Sequence, residues 1–235
     1  EVVDIFFPDG VRIFDKPILP PGKYTAGIVD PPAYESCLAA AKSGDLVQLK
    51  LLRANGYDWH NETMCTAAAL SGNIAMMKWL RVENECPWEK EPEWAGATEN
   101  PTLRSAIKSN NLNLVKWLEL NDYPFDPPSN KDNTVIYAAL KCGNMEMFKY
   151  LSENLGYDIY EGLGLGLGKE MAYNSAAEGG NLELMNYVYK KFQCQIEWFE
   201  CTQAAASGNQ EMVLWMREKG CKMGKFVSYG AARRN

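Results

Sequence analysis

Seven cysteines, a single histidine and a glycine-leucine run ending in lysine are the residues of this 235-residue chain best suited to chemistry. The run Gly162-Leu163-Gly164-Leu165-Gly166-Leu167-Gly168-Lys169 invites comparison with a phosphate-binding loop. Such a loop needs glycine five residues before the Gly-Lys pair and a hydroxyl residue after it. Here those positions hold Leu163 and Glu170, and the dinucleotide fingerprint fails at Leu167. No nucleotide cofactor is expected. Cys37, Cys65, Cys86, Cys142, Cys194, Cys201 and Cys221 contain no Cys-x-x-Cys and no paired metal-ligand spacing. His60 stands in Asp58-Trp59-His60-Asn61-Glu62 with no serine or cysteine nucleophile near it in sequence. General-base catalysis is not supported there.

The elements that carry these residues repeat. Six copies of one pattern align on a small-residue corner at Gly44, Gly72, Asn110, Gly143, Gly180 and Gly208. Glycine and asparagine tolerate the left-handed backbone that ends a helix. The next residue, Asp45, Asn73, Asn111, Asn144, Asn181 or Asn209, suits the cap of a second helix. Four residues before each corner stands an alanine: Ala40, Ala68, Ala106, Ala139, Ala176 and Ala204. That column predicts backbones in close approach.

Beyond the corner, apolar residues recur at helical spacing. One row holds Leu46, Ile74, Leu112, Met145 and Leu182, broken by Gln210. A second holds Leu49, Met77, Val115, Phe148, Met185 and Val213, and a third Leu52, Leu80, Leu118, Leu151, Val188 and Met216. A bulky column, Leu51, Trp79, Trp117, Tyr150, Tyr187 and Trp215, precedes the third row and is expected in the core between repeats. Short amphipathic helices of this kind bury their faces only by stacking.

Corners recur every 28 to 38 residues, with Ala-Ala-x-x-Gly-Asn at the bend and Leu-Val-Lys-Trp-Leu after it. The pattern over about residues 36–227 resembles the ankyrin repeat. Thr63 and Leu103 match that family's Thr-Pro-Leu-His motif, whereas its Pro and His slots are unmatched at Met64 and Thr66. The resemblance implies an all-α solenoid of helix-turn-helix repeats. Residues 34–227 are read as six repeats and 228–235 as the start of a truncated seventh. Residues 1–33 are read as an extended Pro/Gly-rich arm with a possible short hairpin around Pro8-Asp9-Gly10. The chain opens at Glu1 without methionine, so a leader or a larger N-terminal region is expected to have preceded it.

Slot-filling also accounts for most of the cysteines. Cys37, Cys65 and Cys201 each sit seven residues before a corner, while Cys86 and Cys221 follow the second helix where other copies carry Tyr57, Tyr123 and Tyr157. All seven are read as structural thiols. Equivalent cysteines in consecutive repeats would lie roughly 10 Å apart, too far to share a metal. No metal site is expected, and a disulfide framework suits a small secreted domain better than a helical array.

What remains for function is surface. Trp59, His60, Trp88, Phe125, Trp198 and Phe199 are expected on the edge of inter-repeat loops, and Trp94 in an acidic insertion, Glu89 to Asn100. Tryptophan is over-represented among contact hot spots. Leu163, Leu165 and Leu167 are expected in a flexible finger that orders against a partner, since exposed leucines otherwise lower solubility. The resemblance places Lys42, Lys108, Lys141 and Glu178 on the concave side, where three lysines form a basic stripe. An acidic protein segment is the expected ligand.

A net charge of −6 excludes general attraction to phosphate backbones or anionic lipid, so neither nucleic acid nor membrane insertion is expected. No apolar run reaches the ~20 residues of a membrane span. The sequence therefore points to a non-catalytic protein-binding scaffold or adaptor. The alternative is a permanent subunit of a large assembly, clasped by the arm and the inserted loops. An enzyme would need a catalytic domain outside these residues. Cysteine usage points to a reducing interior, cytoplasmic or within an organelle.

Overall fold

A computed structural model describes residues 33–57, 63–88, 100–125, 134–159, 167–193 and 198–221. The arm, the acidic insertion with Trp94, and the truncated seventh repeat lie outside the described residues.

Twelve helices and no strands are found among the described residues. They run as six pairs: α1 (Ala33–Ser43) with α2 (Leu46–Ala54), α3 (Thr63–Ser71) with α4 (Ile74–Lys78), α5 (Pro101–Lys108) with α6 (Leu112–Leu120), α7 (Thr134–Lys141) with α8 (Met145–Lys149), α9 (Leu167–Gly179) with α10 (Leu182–Phe192), and α11 (Trp198–Ser207) with α12 (Gln210–Glu218). Most are 11 residues or shorter, too short to stand alone in water. The odd-numbered helices pack against one another in chain order and form one continuous inner layer. Each even-numbered helix folds back onto its own inner helix. The architecture is a helical-repeat solenoid.

Every corner is left-handed, with φ from 58° at Asn110 to 78° at Gly44. After each corner the Asp or Asn side chain caps the outer helix. Asp45 Oδ1 accepts from Gln48 N–H at 2.9 Å, and Asn73, Asn111, Asn144, Asn181 and Asn209 do the same in their own copies. Asparagine has a second capacity that aspartate lacks, an amide N–H₂. Asn73, Asn111, Asn181 and Asn209 use it to donate to the corner carbonyls of Gly44, Gly72, Gly143 and Gly180, at 2.6–2.9 Å. Asn144 instead reaches the Asn110 side-chain oxygen at 2.7 Å. One residue thus starts its own helix and holds the preceding repeat.

The alanine column is fully buried, as close packing of the inner layer requires. Next to four of the six corners, Ser43, Ser71, Ser109 and Ser207 turn their hydroxyls onto the carbonyls of Ala40, Ala68, Ala106 and Ala204 at 2.7–3.0 Å. The fifth copy carries Gly179 in that slot. A Cβ there would overlap the Leu140 carbonyl oxygen of the preceding repeat.

The outer helices bury a slightly different face from the one the sequence rows predict. Met76, Leu114, Met147, Leu184 and Met212, four residues past the corner, are fully buried. The row two past the corner (Leu46, Ile74, Leu112, Met145, Leu182) is only half-buried. At ~100° per residue, positions four, five and eight past the corner share one face and position two falls on its flank. The bulky column falls on the opposite flank. Trp79 is buried, Trp117, Tyr150 and Trp215 are half-buried, and Leu51 and Tyr187 are exposed. The column joins neighbouring repeats at the edge of the core. Lys50 lies 5.6 Å from the Trp79 ring of the next repeat, and Lys116 lies 5.2 Å from the Tyr150 ring.

Two outer helices end in a π-turn, Trp79–Glu83 after α4 and Tyr150–Asn154 after α8. The reason is arithmetic. A loop residue after five of the six outer helices is anchored by its N–H to the carbonyl eight past the corner: Tyr57 to Leu52, Cys86 to Leu80, Tyr123 to Leu118, Tyr157 to Leu151 and Cys221 to Met216. Cys86 and Tyr157 stand one residue further along the sequence than their counterparts. The π-turn takes up that extra residue, so the anchor closes at the same carbonyl.

Replacing Asn111 by Asp keeps its capping oxygen but sets a carboxylate where an amide faced the Gly72 carbonyl. Urea unfolding is expected to show a loss of about 1–3 kcal/mol for Asn111→Asp. Asp45→Asn, which creates no such mismatch, is expected to change stability by less than about 0.5 kcal/mol.

Candidate partner-binding surface

The inner helices present one exposed column, two residues before each corner. Lys42, Leu70, Lys108, Lys141 and Glu178 occupy it in the first five copies, and Ala206, half-buried, in the sixth. Lys141 and Glu178 neutralise one another at 2.9 Å. The expected stripe of three open lysines is therefore shorter than the sequence suggests. Lys42 and Lys108 carry no ion pair among the described residues, and they flank Leu70, which is 43% exposed. Half-exposed Arg104 lies on the same helix as Lys108, one turn before it. Leu70 carries no signal of its own in the sequence, although the column places it between the two lysines.

At the far end of the inner layer, Phe199 and Met171 are exposed at the same register of α11 and α9, nine residues before their corners. Trp198 and Phe199 form the first turn of α11 instead of a loop, and Leu167 and Gly168 open α9 instead of closing a finger. The side chains of Trp198 and Leu167 lie outside the described residues, as do Trp59, His60, Leu163 and Leu165 entirely.

Trp88 and Phe125 do not stand free on the loop edge. Trp88 packs edge-on against Trp117 and Tyr123 of the next repeat, with ring centroids 6.5 and 5.1 Å away. Phe125 meets Tyr123 edge-on at 5.1 Å. The Arg81 guanidinium lies 4.1 Å from the centre of the Trp88 ring and donates to the Cys86 carbonyl. These aromatics join the second and third loops into one cluster, worth about 0.5–1.5 kcal/mol per ring pair beyond area burial. The loop conformation that brings them together is not visible in spacing alone.

The cysteines require a correction. Cys201 of α11 and Cys221 after α12 form a disulfide, so not all seven are thiols. Cysteine usage consequently no longer argues for a reducing compartment. Cys37, Cys65 and Cys86 are buried thiols, Cys142 is half-buried, and Cys194 lies outside the described residues. A hydrogen bond from Cys65 lowers the Cys86 pKa, burial opposes it, and Arg81 lowers it further. Burial raises the Cys142 pKa against a smaller opposing pull from Lys108. Among the described residues no group of His, Cys, Asp and Glu side chains could hold a metal ion. No described helix is long and apolar enough to cross a membrane.

With this geometry in view, the family model described as "Ankyrin repeats (many copies)" matches residues 103–151. Those residues carry ankyrin repeats. Among solved structures, the human ASB11 ankyrin repeat domain aligns with 80% of this chain and 85% of its own, at 20% identity and a TM-score of 0.46. No curated protein matches the chain in sequence. Ankyrin repeats are in general protein–protein interaction modules. The third and fourth repeats, which the family model covers, contain α5 to α8 and Lys108 and Lys141 of the inner column.

The outer layer offers a titration that reports on repeat stacking. Tyr150 donates its hydroxyl proton to Glu119 of the preceding repeat. Burial first, and then the Glu119 carboxylate, push its pKa from about 10 up to about 12. The folded value is raised, so this contribution to stability is whole below pH ~10 and disappears as pH rises toward ~12. Tyr150→Phe is expected to remove a phenolate absorbance step near pH 12. Loss of a step near 10 would show that the Glu119 contact does not hold in solution.

Proposed function

We propose that this array is a non-catalytic protein-binding module that takes an acidic segment of a partner protein across its inner helices. One observation carries the reading: Lys42 and Lys108 stand unpaired by any acid among the described residues, on either side of exposed Leu70. An extended acidic segment with an apolar residue between its carboxylates matches that order of charge, apolar contact and charge. Arg104 adds a planar donor beside Lys108, suited to a carboxylate. The remainder of the protein is net acidic, which favours such a segment at this place over any other on the surface. Phe199 and Met171 extend the apolar contact toward the C-terminal repeats. Nucleic acid and membranes are not proposed as partners, and the setting proposed is intracellular.

The second reading, a permanent subunit clasped by residues 1–33 and the Gly-Leu segment, depends on residues that are mostly outside those described. No specific observation favours it over reversible binding.

The test uses fluorescence anisotropy with labelled peptides that alternate Asp or Glu with leucine, and with lysine-containing counterparts. Acidic peptides are expected to bind, and Lys42→Glu combined with Lys108→Glu to weaken them by at least about tenfold, that is ~1.4 kcal/mol. The outer-layer control Lys149→Glu is expected to have little effect. Equal loss from the control, or indifference to the double reversal, overturns the reading.

A further inference from the structure

Repeats two and six place cysteines in the same two slots. Cys65 and Cys201 sit on the inner helices α3 and α11, seven residues before their corners, and both are buried. Cys86 and Cys221 are the loop residues anchored after the outer helix. The Cys86 N–H donates to the Leu80 carbonyl at 2.9 Å and the Cys221 N–H to Met216 at 3.0 Å, equivalent carbonyls in the two repeats. In repeat six the two sulfurs are bonded. In repeat two they are thiols in direct hydrogen-bond contact, and Cys65 Sγ also lies 3.5 Å from the carbonyl oxygen of Pro87, the residue after Cys86. No other repeat has cysteine in both slots within the described residues, since Cys37 shares its repeat with Tyr57, and Tyr123 and Tyr157 fill the loop slot elsewhere.

We propose that Cys65 and Cys86 are a second oxidisable pair, which closes to a disulfide when the protein meets hydrogen peroxide. In repeat six the same two slots hold the pair Cys201–Cys221, and the π-turn keeps Cys86 at the anchor position in spite of its extra residue. The chemistry is suited to Cys86 as the attacking sulfur, because Cys65 and Arg81 both favour its thiolate. The thiolate attacks one peroxide oxygen, forming an S–O bond as the O–O bond breaks and hydroxide leaves. Cys65, giving up its proton to that hydroxide, then attacks the Cys86 sulfur. The S–S bond forms, the S–O bond breaks, and a second hydroxide leaves and is protonated by solvent. Two thiols lose two electrons and peroxide becomes two waters.

Both sulfurs are buried, so reaction awaits opening of the loop at Asn84 to Trp88. Once closed, the bond ties that loop, and with it Trp88, to α3. The cluster that Trp88 makes with Trp117 and Tyr123 of the next repeat would then be fixed at its base. Oxidation would stiffen the junction of repeats two and three without touching the inner-face lysines.

The experiment treats the full chain with hydrogen peroxide, natively folded and in urea, blocks remaining thiols by alkylation, and maps tryptic peptides without reduction. Cleavage after Lys78 and Arg81 places the two cysteines on separate peptides, so a 65–86 bond appears as a cross-linked pair. That pair is expected in high yield from the folded chain, abolished by Cys65→Ser or Cys86→Ser and retained in Cys37→Ser. Oxidation is also expected to slow native-state cleavage after Arg81 by about tenfold. The wild-type mapping needs no variant to fold. Recovery of Cys65 and Cys86 as alkylated thiols, or as separate sulfinic acids, overturns the proposal. So does equal cross-linking in urea, which would mean that the fold does not bring the pair together.

Discussion

Everything in this array depends on a side chain that has to satisfy two repeats at once. A helix exposes N–H groups at its start, and a left-handed corner exposes a carbonyl just before it. An asparagine after the corner answers the first need with its oxygen in its own repeat and the second with its amide in the preceding one. Aspartate, an acceptor only, can do the first alone. Where the chain has a preceding described repeat to hold, at positions 73, 111, 144, 181 and 209, it uses asparagine each time. At 45, in the first described repeat, it uses aspartate. The choice follows from donor count.

Around that polar ladder the apolar packing is simple. Buried alanines let the inner helices approach, and leucine, methionine, valine and phenylalanine on the outer helices fill the groove behind them. Fully burying one such large side chain is worth about 1.5–3 kcal/mol. The contacts run between neighbours, so stability accumulates repeat by repeat, and so does sensitivity to a defect in any one interface. Gly179 shows how tight the fit becomes. Its copy has no room for the serine that four of the others carry, because the preceding repeat sits closer there.

Most of this was legible in the sequence because it hangs on single-residue requirements. A left-handed corner, a cap and a close helix approach each demand a narrow set of residue types, and six repetitions expose the demand. The orientation of the outer helices was harder to read. Apolar residues at both two and four past the corner obey the same periodicity, and only packing against three neighbours decides which row goes deepest. The surface was harder still. Lys141 and Glu178 were assigned to one column, yet their pairing depends on the separation of adjacent helices. Trp88 and Phe125 were read as open anchors because their stacking on Tyr123 depends on loop paths that spacing does not encode. The Cys201–Cys221 bond was missed for a related reason. Each cysteine explained itself as a slot filler, and the two slots face one another only in three dimensions.

The two π-turns have a consequence for how such a chain can change. A solenoid relays geometry from each unit to the next, so a single inserted residue might be expected to rotate everything downstream. Here the surplus is absorbed as a local widening of the last turn, and the next anchor falls on its usual carbonyl. Repeats of unequal length therefore coexist in one stack with no correction elsewhere. One-codon insertions and losses at the end of an outer helix are, for this architecture, close to neutral drift, and repeat length is a poor guide to which copies descend from which.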